Sequence, residues 1–189
     1  MGAYSPVPQI PQEMIDEAVQ RILIPAAKGM IANGTPFTGI LYAGLIATEK
    51  GPKVIEFNAR FGDPETQVVL PRLKSSLAAI ISALLADEKP VIEWADNAAF
   101  GVVVAADGYP GTYEKGWPIP LIEDSEVTVY YAGVSETDGQ LVAAGGRLFL
   151  VEAEGENLPE AQEKVYQALA AAKLTGMFYR KDIGHRALK

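Results

Sequence analysis

Residues 54–65 read Val54-Ile55-Glu56-Phe57-Asn58-Ala59-Arg60-Phe61-Gly62-Asp63-Pro64-Glu65, and Thr66-Gln67-Val68-Val69-Leu70-Pro71-Arg72-Leu73 follows directly. Alternation of apolar and polar residues predicts a strand, and Gly62-Asp63-Pro64-Glu65 is a turn that stops it and launches a helix. Successive strand side chains point to opposite faces, so Glu56, Asn58 and Arg60 are expected on one side, with Ile55 and Phe57 pointing into a core. Upstream, Thr38 to Thr48 is a second extended run, separated from Lys53 to Asn58 by Glu49-Lys50-Gly51-Pro52, which predicts a hairpin. Downstream, Val69, Leu70, Leu73, Leu77, Ile80, Ile81, Leu84 and Leu85 recur at helical spacing, which predicts one helix over 66–86 that ends at Asp87-Glu88-Lys89-Pro90.

Farther out, Met14, Ile15, Ala18, Val19, Ile22, Leu23, Ala26 and Ala27 predict an amphipathic helix from about Pro11 to Ala32, bent where Pro25 removes a hydrogen bond. Beyond Trp94 the composition changes to short β-rich runs, Phe100 to Ala105, Glu126 to Tyr131, Leu141 to Ala144 and Arg147 to Val151. Asn157, Pro159 and Glu160 read as the start of a helix whose Ala161, Val165, Leu169 and Ala172 face those strands. The fold class is therefore α+β in two lobes: residues 1–92, an antiparallel hairpin plus helices, and residues 93–189, a small, mostly antiparallel β domain with a packed helix.

The chain has 189 residues with 49% apolar and 21% charged, enough to bury a core. No apolar run has transmembrane length and the first residues lack a secretory pattern, so a cytoplasmic location and no membrane partner are expected. The absence of cysteine excludes thiolate chemistry, and His185 as the one histidine makes a histidine-based zinc site or a Ser-His-Asp triad very hard to assemble, so metal binding must use oxygen. A net charge of −8 with no basic cluster argues against a nucleic-acid partner.

Magnesium prefers hard oxygen ligands and is often held by one or two protein oxygens plus nucleotide phosphates, so Glu56 and Asn58 on one strand face form a suitable half-cage. Arg60 then grips a phosphoryl group or a carboxylate by its planar fork. A solvated polar face is the alternative for these three residues, and capping with dipole compensation is the alternative for Asp63 and Glu65. Arg180, Lys181 and Arg186 form a small basic group that meets a sugar phosphate or remains a solvated tail. Arg147 after Gly145-Gly146 carries the same choice. His185 is read as an ordinary polar residue.

The segment 54–73, with Thr35-Pro36-Phe37-Thr38-Gly39-Ile40-Leu41-Tyr42-Ala43-Gly44-Leu45-Ile46-Ala47-Thr48 before it, resembles the C-terminal part of the phosphoribosylamine–glycine ligase family within the ATP-grasp superfamily. Met1-Gly2-Ala3-Tyr4-Ser5-Pro6 is similar to the end of that family's glycine-rich stretch. Gly108-Tyr109-Pro110-Gly111 with Tyr113 and Gly116 resembles a second-domain loop, and Tyr179-Arg180-Lys181-Asp182-Ile183-Gly184 a C-terminal signature. The resemblance implies the C-terminal part of an ATP-grasp core and an ATP-dependent ligase of purine biosynthesis that joins glycine to 5-phosphoribosylamine through glycyl phosphate. It implies Mg2+ (or Mn2+) on Glu56 and Asn58, Arg60 on the phosphoryl oxygens, and Asp63 near the glycine ammonium or the amine nucleophile. Glu65, Arg180, Asp182, Tyr4 and Ser5 are then substrate-binding candidates. A further acidic metal ligand is expected where this chain has Leu41-Tyr42-Ala43, and it is missing. Met1 falls inside the family's glycine-rich stretch, so the chain is expected to be a fragment that lacks the N-terminal half of the enzyme and is inactive alone. Another ATP-grasp carboxylate–amine ligase, or a binding and assembly module without chemistry, is the alternative reading.

Overall fold

In the computed structural model, which describes residues 1–188, the two longest strands form from the apolar runs around Val102 and Val151. These are β4 (Ala98–Ala106) and β8 (Arg147–Gly155), paired antiparallel with Val102 opposite Val151 and Gly101 opposite Glu152. β4 is buried along its whole length, as a strand of Ala, Phe, Gly and Val without polar alternation must be when both sheet faces are covered. β5 (Thr128–Tyr131) adds to the other side of β8. Two short strands share the edge of β4 end to end, β1 (Gly2–Ser5) along residues 99–102 and β9 (Met177–Tyr179) along residues 104–106. β6 (Val134–Thr137) and β7 (Gln140–Ala143) make a separate hairpin whose tip, Asp138-Gly139, takes positive φ at both residues, the Asp-Gly signature of a tight turn.

One sheet face presents Phe100, Val102, Val104, Phe149, Val151 and Ala153 to α5 (Leu158–Ala171), which answers with Leu158, Ala161, Val165, Ala168 and Leu169. The helix starts as expected, with the Asn157 carboxamide accepting from the Glu160 N–H at 3.0 Å. The opposite face is covered by residues 63–72, where α3 (Thr66–Val69) leads into one 3-10 turn, Leu70–Arg72. Val68 rests over Gly101 so closely that a Cβ there would lie 3.0 Å from its Cγ1.

The single helix expected over 66–86 is therefore two pieces. Pro71 supplies no N–H to continue the ladder, and the chain runs extended at Ser76, whose Oγ accepts from the Ala79 N–H and starts α4 (Leu77–Leu85) afresh. The chain forms two compact units. The first comprises residues 1–6, 63–72 and the stretch from Ala95 onward; the second comprises residues 7–62 and 73–94.

Within the second unit, α1 (Gln12–Ala18) passes through a π-helical turn, Val19–Leu23, into α2 (Ile24–Ala32). The wide turn sits just before Pro25, so the expected irregularity is present as a π turn. β2 (Tyr42–Thr48) and β3 (Gly51–Asn58) form the expected hairpin, with a register shift that leaves Ile55 without an opposite residue. The expectation that Ile55 and Phe57 enter a core is corrected: they are 66% and 42% exposed. A two-stranded hairpin has two broad faces, and helix α1 packs along only part of it.

Candidate functional site

Glu56 and Asn58 stand on the same face of β3, because two residues separate them by one full strand period. Asn58 Nδ2 donates to Glu56 Oε1 at 2.9 Å, and Gly44 opposite has no side chain to displace the Glu56 stem, since a Cβ there would lie 3.2 Å from Glu56 Cγ. The contact occupies one carboxylate oxygen and the amide nitrogen. Glu56 Oε2 and Asn58 Oδ1 take no part in this contact, which leaves a carboxylate oxygen and an amide oxygen on the same strand face. Arg60 lies past the end of the strand and is not aligned with this pair; its Nη1 donates to the Phe61 carbonyl at 2.7 Å.

The donor set of Glu56 and Asn58 fits a hard divalent cation, and no group of three or more His, Cys, Asp or Glu able to hold a metal occurs among the described residues. An ion at this pair would need its other ligands from phosphate oxygens and water, which is how magnesium is ordinarily held beside a nucleotide.

In the first unit, Asp63 is tied on three sides. Its Oδ1 accepts from Gln67 Nε2 at 3.1 Å, its Oδ2 pairs with Arg147 Nη2 at 3.1 Å, and its carbonyl accepts from Arg147 Nη1 at 3.1 Å. Arg147, read from the sequence as a phosphate contact or a solvated residue, instead fixes the turn that carries Asp63. It reaches that turn from a strand start pressed close by glycine, because the Tyr109 ring fills the space a Cβ on Gly146 would need. Glu65 sits at the head of α3, where its carbonyl accepts from the Val68 and Val69 N–H groups at 3.1 Å each.

Tyr4 and Ser5 lie on β1 with opposite orientations. Tyr4 stacks on Phe100 at 6.3 Å between ring centroids and belongs to the core on the α5 face. Ser5 points to the other face and accepts a hydrogen bond from Arg72. Arg72 was not singled out in the sequence, yet it also binds the carbonyls of Asn97 at 2.7 Å and Ala95 at 3.1 Å. Its one sequence signal is a charged residue inside Leu70-Pro71-Arg72-Leu73.

Arg180 and Asp182 form a bidentate pair, Nε to Oδ1 at 2.8 Å and Nη2 to Oδ2 at 2.6 Å. The guanidinium holds the Asp182 carboxyl below the usual carboxylate range, and the carboxylate raises the Arg180 guanidinium in return. His185 Nδ1 lies 2.8 Å from the Asp182 carbonyl and makes the C-terminal turn, in keeping with its reading as an ordinary polar residue. The structure thus groups the candidates as Glu56 with Asn58, Asp63 with Arg147 and Gln67, Ser5 with Arg72, and Arg180 with Asp182. No helix of the described residues is long and apolar enough to cross a membrane.

Comparison with known proteins finds matches along the whole chain. Residues 1–66 match the phosphoribosylglycinamide synthetase ATP-grasp (A) domain, and residues 99–186 match the phosphoribosylglycinamide synthetase C domain. A phosphoribosylamine–glycine ligase of Halalkalibacterium halodurans is 53% identical over 190 residues, covering all of this chain and 44% of that protein; one of Lactococcus lactis is 52% identical and is covered to 46%. The crystal structure of phosphoribosylamine–glycine ligase from Thermotoga maritima superposes with a TM-score of 0.84 at 32% identity, over 96% of this chain and 46% of that one. The biotin carboxylase domain of Hydrogenobacter thermophilus 2-oxoglutarate carboxylase shares the fold at a TM-score of 0.70 and 16% identity, over 100% of this chain and 44% of that one. The chain spans about half the length of the curated relatives it matches.

Proposed function

Given that this chain belongs to the phosphoribosylamine–glycine ligase family, we propose that it is the C-terminal part of such a ligase. Residues 1–92 serve as the ATP-grasp portion and residues 93–189 as the C-terminal domain, in a protein acting in the cytoplasm in purine biosynthesis. The substrates are ATP, glycine and 5-phosphoribosylamine.

The reaction has two displacements. A glycine carboxylate oxygen attacks the γ-phosphorus, the bond to ADP breaks, and glycyl phosphate forms. The amine of 5-phosphoribosylamine then attacks the acyl carbon, loses a proton, and expels phosphate as the amide forms. Glu56 and Asn58 would hold Mg2+ or Mn2+, which would supply positive charge beside the nucleotide phosphates. Arg60 swings from the Phe61 carbonyl to the transferring group, a small movement for an exposed side chain. Asp63, oriented by Arg147 and Gln67, presents its carboxylate to an ammonium or amine. Glu65, Tyr4, Ser5, Arg180 and Asp182 stand as further substrate-binding residues; of these, Tyr4 contributes by fixing β1, and Arg180 by exchanging Asp182 for a substrate phosphate.

The observation that carries this reading is the Asn58–Glu56 contact, which leaves two hard oxygens side by side on a strand end. The test is ATP-dependent amide formation by a polypeptide in which this chain is continuous with the rest of the family's length. Glu56→Gln is expected to lower kcat by at least about 100-fold with glycine KM little changed. Activity that survives the substitution overturns the metal assignment, and turnover with other carboxylates but not glycine points to a different ATP-grasp ligase. The 189-residue chain alone is expected to show no turnover, and measurable ligation by it sinks that expectation.

A further inference from the structure

Glu152 lies in the middle of β8, 3% exposed, and is the one buried charged residue of the described core. Strand alternation puts it on the sheet face covered by residues 63–72, not on the α5 face. Its neighbours across the ladder are Gly101 on β4 and Thr128 on β5. Carboxylate Oε1 has no hydrogen-bond partner. Two more buried acceptors of the first unit are equally unpaired: Asn97 Oδ1, whose Nδ2 is given to Glu154, and Gln67 Oε1, whose Nε2 is given to Asp63. Glu152 Oε1 is thus a buried lone-pair oxygen with no donor supplied to it.

The charged groups around Glu152 add nothing that would stabilise an anion. Glu154 follows two residues later on the same face, and Tyr130 stands beside it on β5 as a neutral phenol. β4 presents only Ala99, Gly101 and Val103 to that face, and β1 presents Ala3 and Ser5. The covering segment brings Arg72, already committed to Ser5 and two carbonyls, and Asp63, paired with Arg147. Glu126 and Glu160 are engaged with Lys164, whose ammonium lies against the Glu154 carbonyl.

We infer that Glu152 is kept as a neutral carboxylic acid and works as a proton-operated latch, holding residues 63–72, and with them the Asp63 turn, against the sheet while protonated and releasing them when it ionises. Burial, reinforced by Glu154, pushes its carboxyl up to about 7, the range in which such a latch operates. The sign follows from proton linkage. The folded state holds this proton more tightly than the unfolded chain does, so the packing is firmest below the ordinary carboxylate range and weakens as pH rises through about 7. The inference concerns this chain's own packing and does not depend on which reaction Asp63 serves.

The test uses the 189-residue chain. Carbon-detected NMR of labelled glutamate side chains is expected to show one carboxyl titrating near neutrality, which disappears in Glu152→Gln. Protection of the Val68 and Val69 amides, corrected for intrinsic exchange, is expected to fall roughly tenfold between about pH 5.5 and 8.5 in the parent chain. The same interval should leave Glu152→Gln nearly flat. A Glu152 carboxyl that titrates in the ordinary range, or the same loss of protection in Glu152→Gln, overturns the latch. Should the variant fail to fold, the titration of the unmodified chain decides alone. Because neither readout involves nucleotide, metal or glycine, the latch and the ligase reading fail independently.

Discussion

Tyr130 and Glu152 lie on neighbouring strands and act on each other through the same covered layer. The Tyr130 hydroxyl is raised above its ordinary value, first by burial and then by the charges of Glu152 and Glu154. At the high pH where a phenol titrates, Glu152 is ionised, so Glu152→Gln removes one of the two repelling charges. The variant is expected to lower the Tyr130 titration toward that of free tyrosine while leaving the burial contribution, a shift readable from labelled tyrosine Cζ resonances. No change would mean that the two side chains do not share the layer. A second residue-scale prediction concerns Gly146, where a Cβ would lie 2.2 Å from Tyr109 Cδ2. Gly146→Ala is expected to destabilise the fold by about 1–3 kcal/mol by urea unfolding, because the ring must leave its packed position. At this scale the Glu56 and Asn58 pair was legible in the sequence, since a period of two is a local property. The solvent position of Ile55 was not, because the bulge there is set by how β3 registers on β2. Glu152 gave a partial signal, an acid directly after Phe149-Leu150-Val151, but its burial depends on the strand on each side and on a segment about 80 residues earlier in the chain.

Elements followed their local codes wherever one helix or strand could be judged alone. The amphipathic run before residue 32 and the Asn157 start of α5 were readable because spacing and capping chemistry are short-range. The break near Pro71 was not read, although the proline was visible, because the apolar spacing continues across it and periodicity alone cannot distinguish one helix from two. The restart depends on Ser76, whose Oγ accepts from the Ala79 N–H. Ser76→Ala is therefore expected to lower stability by about 1 kcal/mol and to fray the first turn of α4, while Ser76→Asp restores the acceptor. Helix content by circular dichroism together with urea midpoints checks both variants, and equal stability of all three chains would show that the break is fixed elsewhere.

Across the whole molecule, the sequence order conceals how the two units are assembled, since the first recruits residues 1–6 and 63–72 to a sheet built mainly from residues after 95. No local pattern announces that β1 will share an edge of β4 with β9; that is fixed by long-range pairing. The units also differ in how much apolar surface they bury. The largest fully buried side chains among the described residues, Phe100, Phe149, Leu148 and Leu169 among them, all belong to the first unit, whereas the second leaves Ile46, Val54, Ile55, Phe57 and Leu85 exposed. Local stability follows burial, because an amide opens to exchange when the packing above it yields, and a two-stranded hairpin is marginal without a covered face. Backbone amides of β4 and β8 are therefore expected to exchange at least about 100-fold more slowly than those of β2 and β3, by mass spectrometry of the chain alone. Equal protection in the two strand pairs would mean that the exposed apolar face of β3 is covered in solution, and self-association measured by sedimentation would then identify a second copy as its cover.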